Sequence, residues 1–153
     1  MKTILFADDS RNIREYCRVA LEEDGYRVVL ACDGLEATRL FCEETPEIVI
    51  LDICMPRMNG LEALERLKGI APQIPVILFT AYDDDCVQDH RGILADACVE
   101  KSDDLTELKR TVGNVLGTAM SDGRSRSWRC GLPPVACGAP ALETSTTVCR
   151  RLK

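Results

Sequence analysis

Four short apolar runs punctuate the first eighty residues: 3–7, 27–31, 47–51 and 76–79. In the third, Ile48, Val49, Ile50 and Leu51 are bulky, mostly β-branched and uninterrupted by polar residues, the pattern of a strand covered on both faces of a parallel sheet. Between the runs the apolar positions change to helical spacing. Ile13, Tyr16, Cys17, Ala20 and Leu21 predict a helix from a Ser10 cap to about Glu23, with Gly25 as the left-handed residue past its end. Leu35, Ala37, Leu40 and Phe41 predict a second, opened by Asp33 and Glu36 and ended by Pro46. Leu61, Leu64 and Leu67 predict a third over 60–69, with Asn59 and Glu62 as a capping box. Residues 83–94 predict a fourth helix, a poor one: three consecutive Asp and Gly92 make it the least stable element and a candidate for movement. Ala97-Cys98-Val99 is a short fifth strand ending near Lys101. Leu105, Leu108, Val112, Val115 and Leu116 place a closing helix over 103–116.

Five strand–helix alternations with short loops imply a parallel sheet between two helical layers. Right-handed crossovers leave few topologies, and the natural choice is an α/β, flavodoxin-like, doubly wound five-stranded parallel sheet of order 2-1-3-4-5 with helices on both faces.

Composition divides the chain. Of 153 residues, 46% are hydrophobic, enough for a real core. Residues 1–117 hold 23 acids against 13 Lys and Arg, whereas 118–153 hold 2 acids against 6 bases. The expected organisation is therefore one acidic domain, 1–117, followed by a basic, disordered tail, 118–153, too poor in large apolar residues for a second core. An acidic body argues against nucleic acid as a partner. No run approaches a membrane span, and acids at Asp8 and Asp9 come too early for a signal peptide, so the expected compartment is the cytoplasm. Cys17, Cys32, Cys42, Cys54, Cys86 and Cys98 are scattered singly and read as small buried hydrophobes in a reducing cytosol. Cys130, Cys137 and Cys149 in the tail lack the spacing of a zinc site.

The polar residues that matter end strands: Asp8 and Asp9, Asp52, Thr80 and Lys101. In the 2-1-3-4-5 order they converge at the carboxyl edge of the sheet, beside the switch point between strands 1 and 3. Carboxylates gathered there repel by about 4 kcal/mol per pair at 4 Å with an effective dielectric near 20. Such a cluster calls for a cation, and oxygen ligands with room for water suit Mg²⁺. A screened Asp52 could then attack an electrophilic phosphorus, with Lys101 and Thr80 holding the phosphoryl oxygens.

The set Asp8-Asp9, Asp52 with Met55-Pro56-Arg57-Met58-Asn59-Gly60, Thr80-Ala81 and Lys101 resembles the receiver domain of two-component response regulators, over residues 1 to about 117. The resemblance implies that Asp52 is the phosphoacceptor. It implies that Asp9 and Asp52 ligate Mg²⁺ directly, that Asp8 acts largely through water and that the Cys54 backbone carbonyl completes the set. Thr80 and Lys101 would bind the phosphoryl group. The implied donor is a phosphohistidine on a sensor histidine kinase or histidine phosphotransfer protein. The implied output is phosphorylation-dependent binding of a downstream protein through the face formed by the fourth helix, the fifth strand and the closing helix, with a homodimer left open.

The chain departs from the family pattern in two places. Cys98 stands three residues before Lys101, where an aromatic switch residue is usual, and Ser102 follows Lys101 where proline is usual. A trans Lys101–Ser102 peptide is therefore expected. Cys54 and Tyr82 occupy the positions that set dephosphorylation rate in the family, and a bulky Tyr82 points to a long-lived phosphoryl group. His90, the only histidine, reads as a surface residue. The whole chain reads as a single-domain regulator, not an enzyme beyond self-phosphorylation and slow self-dephosphorylation at Asp52. Two rivals remain: a haloacid-dehalogenase-like Mg²⁺-dependent phosphatase, whose DxD motif on the first strand is missing here, and a receiver-like module that binds without phosphorylation.

Overall fold

The computed structural model describes residues 1–81 and 90–121. Five strands, β1 (Thr3–Ala7), β2 (Arg27–Ala31), β3 (Ile48–Leu51), β4 (Val76–Thr80) and β5 (Ala97–Glu100), form one sheet in the order β2-β1-β3-β4-β5. All four pairings are parallel, with Leu5 opposite Val29 and Val49, Ile50 opposite Ile77, and Leu78 opposite Cys98. Among the described residues, four α-helices cover the sheet: α1 (Arg11–Glu23), α2 (Gly34–Glu44), α3 (Gly60–Ile70) and α4 (Thr106–Ser121). The strand order expected from the alternation of elements is the one observed.

Side-chain alternation sends each strand into two cores. Leu5, Ala7, Val49, Leu51, Val76 and Leu78 pack with Phe41 of α2 and with Leu61, Leu64 and Leu67 of α3. Ile4, Phe6, Ile48, Ile50, Ile77 and Phe79 pack on the other face with Cys17 and Leu21 of α1 and with Leu108, Val112 and Leu116 of α4. Phe6 and Phe79 meet edge to face there, 6.0 Å between centroids. This two-sided burial explains why β1, β3 and β4 read as unbroken apolar runs.

The helix ends show how far local chemistry carries. Asn59 and Glu62 make the expected capping box on α3, and the Asp33 side chain caps α2 by accepting from the Glu36 N–H. Gly25 takes the left-handed conformation, φ 88°, after α1. Ser10 is the N-cap of α1 by position, but its side chain makes no capping bond; its N–H donates to Asp8 Oδ1 at 2.8 Å instead. The closing helix starts at Thr106, where Asp104 accepts from the Thr106 N–H at 2.8 Å, and it runs past Gly117 to Ser121. A glycine inside a helix weakens it by about 1 kcal/mol but does not end it.

Of the fourth predicted helix, only the end is described, as a 3-10 turn over His90–Leu94. Its remainder, with Cys86, lies outside the described residues, as do Tyr82, the side chain of His90 and the tail from 122 with Cys130, Cys137 and Cys149. The cysteine expectation needs correction. Cys17 is buried, but Cys98 is exposed on β5, the edge strand of the sheet among the described residues. Cys42 and Cys98 are each in a disulfide, so neither is a free thiol. Among the described residues no helix is long and apolar enough to cross a membrane.

Candidate functional site

The site forms because β1 and β3 are neighbours and each hands the chain to an acid. Asp8 follows β1 and its N–H donates to the Ala31 carbonyl at 3.2 Å; Asp52 follows β3 and donates to the Ala7 carbonyl at 2.9 Å. Ligand oxygens of Asp8, Asp9 and Asp52 lie within 4.8 Å of one another. Asp8 and Asp52 are buried, and Asp9 is exposed on the solvent side.

Lys101 arrives from the far side of the sheet, just past β5. Its Nζ lies 2.6 Å from Asp8 Oδ2 and 3.2 Å from Asp52 Oδ2, and 5.8 Å from the centroid of the Phe79 ring. The Lys101 N–H donates to the Thr80 carbonyl at 2.6 Å, which ties the ends of β4 and β5 together at the pocket. Thr80 itself is buried at the end of β4. The Lys101–Ser102 peptide is trans, as expected with serine in place of proline. Cys54 turns its N–H toward Asp52 Oδ1 at 3.4 Å, so the β3–α3 loop passes directly over the carboxylate.

The electrostatics follow from this crowding. Burial, the charge of Asp8 and, less, that of Asp9 raise the Asp52 carboxyl to about 6, against the pull of Lys101. Burial also raises Asp8, only partly offset by hydrogen bonding and charge from Lys101. Burial works against the Lys101 ammonium, but its contacts with Asp8 and Asp52 outweigh that and leave its pKa raised. One lysine does not neutralise three acids.

The donor set suits a hard cation. It is all oxygen, and it mixes buried and solvent-side carboxylates, with Asp8 Oδ2 buried against the Lys101 ammonium. Oxygen ligands of this number fit Mg²⁺, which takes one or two carboxylates and keeps waters.

Other residues support the site through contacts that no sequence pattern announces. Arg14 donates to the Asp8 carbonyl at 2.7 Å, one turn into α1. The Arg57 guanidinium pairs with Asp33 from the neighbouring turn. Gly60 lies so close under the loop that a Cβ there would meet the Asp52 carbonyl oxygen at 2.0 Å. The turn composition around Asn59-Gly60 marks the bend, but nothing in the sequence alone reveals the approach to Asp52.

An open α/β sheet with acids at the carboxyl ends of adjacent strands, and a lysine reaching them from the edge strand, defines a receiver-type module. The chain belongs to the response regulator receiver domain family, whose model matches residues 4–113. Over 80 residues it is 41% identical to the response regulator MprA of Mycobacterium tuberculosis, covering 52% of this chain and 35% of that protein. The chain thus matches about a third of the length of such curated relatives. Among solved structures it resembles the response regulator TrrA of Thermotoga maritima in complex with Mg²⁺-BeF, with 38% identity and a TM-score of 0.72 over 75% of this chain and 99% of that one. TrrA has also been solved in complex with the histidine kinase ThkA; that match is 39% identical with a TM-score of 0.71, over 76% of this chain and 99% of that one.

Proposed function

We propose that this receiver accepts a phosphoryl group onto Asp52 from a phosphohistidine of a sensor histidine kinase or histidine phosphotransfer protein, in a Mg²⁺-dependent reaction in the cytoplasm. The observation that carries the reading is the Lys101 ammonium set between Asp8 and Asp52, with Asp9 beside them. Asp9, Asp52 and the Cys54 carbonyl would hold Mg²⁺, with Asp8 acting through water; when bound, the ion supplies the positive charge that keeps Asp52 ionised and screens it from an incoming phosphoryl group. An Asp52 oxygen forms the new bond to phosphorus as the phosphorus–nitrogen bond of the donor breaks, and the bonding pair returns to the imidazole, which takes up a proton. Lys101 and Thr80 hold the phosphoryl oxygens as their charge shifts.

The consequence is a change in populations. Lys101 exchanges part of its contact with Asp8 for the phosphoryl oxygens, and its backbone bond to Thr80 passes that change to the ends of β4 and β5. Output is then binding of a downstream protein at the face that includes β5 and α4. Self-dephosphorylation at Asp52 is the only turnover this reading includes.

The test is incubation of the wild-type chain and Asp52→Ala with acetyl phosphate and Mg²⁺, followed by intact mass. The reading expects one phosphoryl group per wild-type chain, none on Asp52→Ala and none without Mg²⁺. Multiple-turnover hydrolysis of small phosphate esters would instead mark a phosphatase.

A further inference from the structure

The loop over Asp52 is gripped from the neighbouring β2–α2 turn by contacts that the proposed phosphoryl chemistry does not use. Arg57, at the loop's crown, has a left-handed φ of 63°, a conformation uncommon outside glycine that persists only where the surroundings impose it. Its guanidinium pairs with Asp33, whose carboxylate is buried while Arg57 is largely exposed. Asp33 holds two elements at once, because its Oδ1 also accepts from the Glu36 N–H at 2.8 Å as the cap of α2. Beside the pair, the Gly34 N–H donates to the Met58 carbonyl at 3.1 Å. A Cβ at Gly34 would lie 2.5 Å from that same oxygen, so only glycine permits the approach. At the loop's other end the Gly60 N–H donates to the Ile53 carbonyl at 2.8 Å. Between these anchors lies Cys54, with its N–H aimed at Asp52.

We propose that Asp33 and Arg57 form a positioning brace, fixing the 53–59 loop over Asp52 and thereby setting the affinity of the Asp8–Asp9–Asp52 hollow for Mg²⁺. The cation's part in this rests on the proposed function; the grip on the loop does not. The Arg57 end of the pair is open to solvent, which screens it and limits its contribution to global stability. Here its effect is local, because it holds a strained backbone whose neighbours line the site.

The test uses the full chain with Asp33→Asn, which keeps the capping acceptor, Arg57→Gln, the double variant and Arg57→Lys. Two quantities are read: amide exchange of residues 53–58 in Mg²⁺-free protein, and Mg²⁺ affinity by calorimetry. Each single variant is expected to speed exchange at the Cys54 amide and to weaken Mg²⁺ binding by about tenfold. The double variant should be no worse than either single, since both remove one contact, and Arg57→Lys should recover part of the loss. Exchange in β1 and β3, which general destabilisation would raise, should stay as in wild type. Unchanged loop exchange in either single variant, or additive effects in the double, overturns the brace. Faster loop exchange with unchanged Mg²⁺ affinity overturns its role in the site. A wild-type chain that takes neither Mg²⁺ nor a phosphoryl group sinks the proposed function and the brace's role at the site, while loop exchange still decides the grip itself.

Discussion

Gly60 and Asp52 are eight positions apart, yet the Gly60 Cα lies so close beneath Asp52 that an added Cβ would sit 2.0 Å from the Asp52 carbonyl oxygen and 2.9 Å from the Ile53 Cα. Both neighbours are backbone, so neither can swing aside. Gly60→Ala should therefore push α3 away from β3 and lower the unfolding free energy by about 3 kcal/mol or more, an extreme case of overpacking. Urea denaturation checks this. Loss below about 1 kcal/mol would mean that the two segments separate freely.

Lys101 and Asp52 should respond to neutralisation with opposite signs. Removing the Lys101 charge leaves Asp8 and Asp52 buried without their cation, and Lys101→Met should destabilise the Mg²⁺-free protein at pH 7 by about 3 kcal/mol. Removing the Asp52 charge relieves repulsion with Asp8, so Asp52→Asn should stabilise the Mg²⁺-free protein while abolishing phosphorylation. Thermal melts without metal distinguish the two. If Asp52→Asn also lowers the melting temperature, repulsion is not what dominates the pocket.

What could be read from the sequence is what depends on short range and on periodicity. The apolar runs ending in Asp8, Asp52 and Thr80 gave strands, and alternation with helical segments gave the order that brings those ends together. The Asn59–Glu62 box is local and came out as expected. The resemblance named the site residues, and the structure brings Asp8, Asp9, Asp52 and Lys101 into one hollow, with Thr80 joined to Lys101 through the backbone. Three features were not legible. The pairing of Asp33 with Arg57 links two loops that are adjacent only after folding, and the helix-cap pattern around Asp33 and the motif around Arg57 say nothing of each other. The passage of α4 through Gly117 depends on Leu108, Val112 and Leu116 packing against the sheet, which outweighs a glycine's weak preference. The exposure of Cys98 depends on β5 being an edge strand, a property of the whole sheet.

Cys17 should be chemically silent in the native protein. It is 1% exposed, and burial with the nearby Asp8 charge pushes its thiol up to about 12. The thiolate is the reactive species, so at pH 8 alkylation of Cys17 should proceed only through unfolding, while half-buried Cys54 labels directly and Cys32, its thiol raised by bonding to Glu36, labels more slowly than Cys54. Mass mapping after brief iodoacetamide treatment checks this. Fast labelling at Cys17 would show that the α1–sheet interface opens without global unfolding.

The raised carboxyl of Asp52 also fixes the sign of a pH dependence. Its native value of about 6, against 3.8 for the ordinary group, means that between those values the folded state binds more protons than the unfolded one. Stability from this group is therefore present at low pH and is lost as pH rises from about 4 to 6; the full shift corresponds to about 3 kcal/mol. Asp8 is raised as well and pushes the same way. Other carboxyls run opposite, such as Glu36, held down by its bonds from Cys32, so the quantity to measure is the difference between wild type and Asp52→Asn. In Mg²⁺-free buffer that difference should be small near pH 4 and should grow in favour of the variant up to about pH 6. Mg²⁺ requires the ionised form, so its affinity for the wild type should weaken as pH falls through about 6. A wild-type-minus-variant difference that stays flat across the window would mean that Asp52 ionises as easily as an exposed acid, and that the hollow is far better solvated than its burial implies.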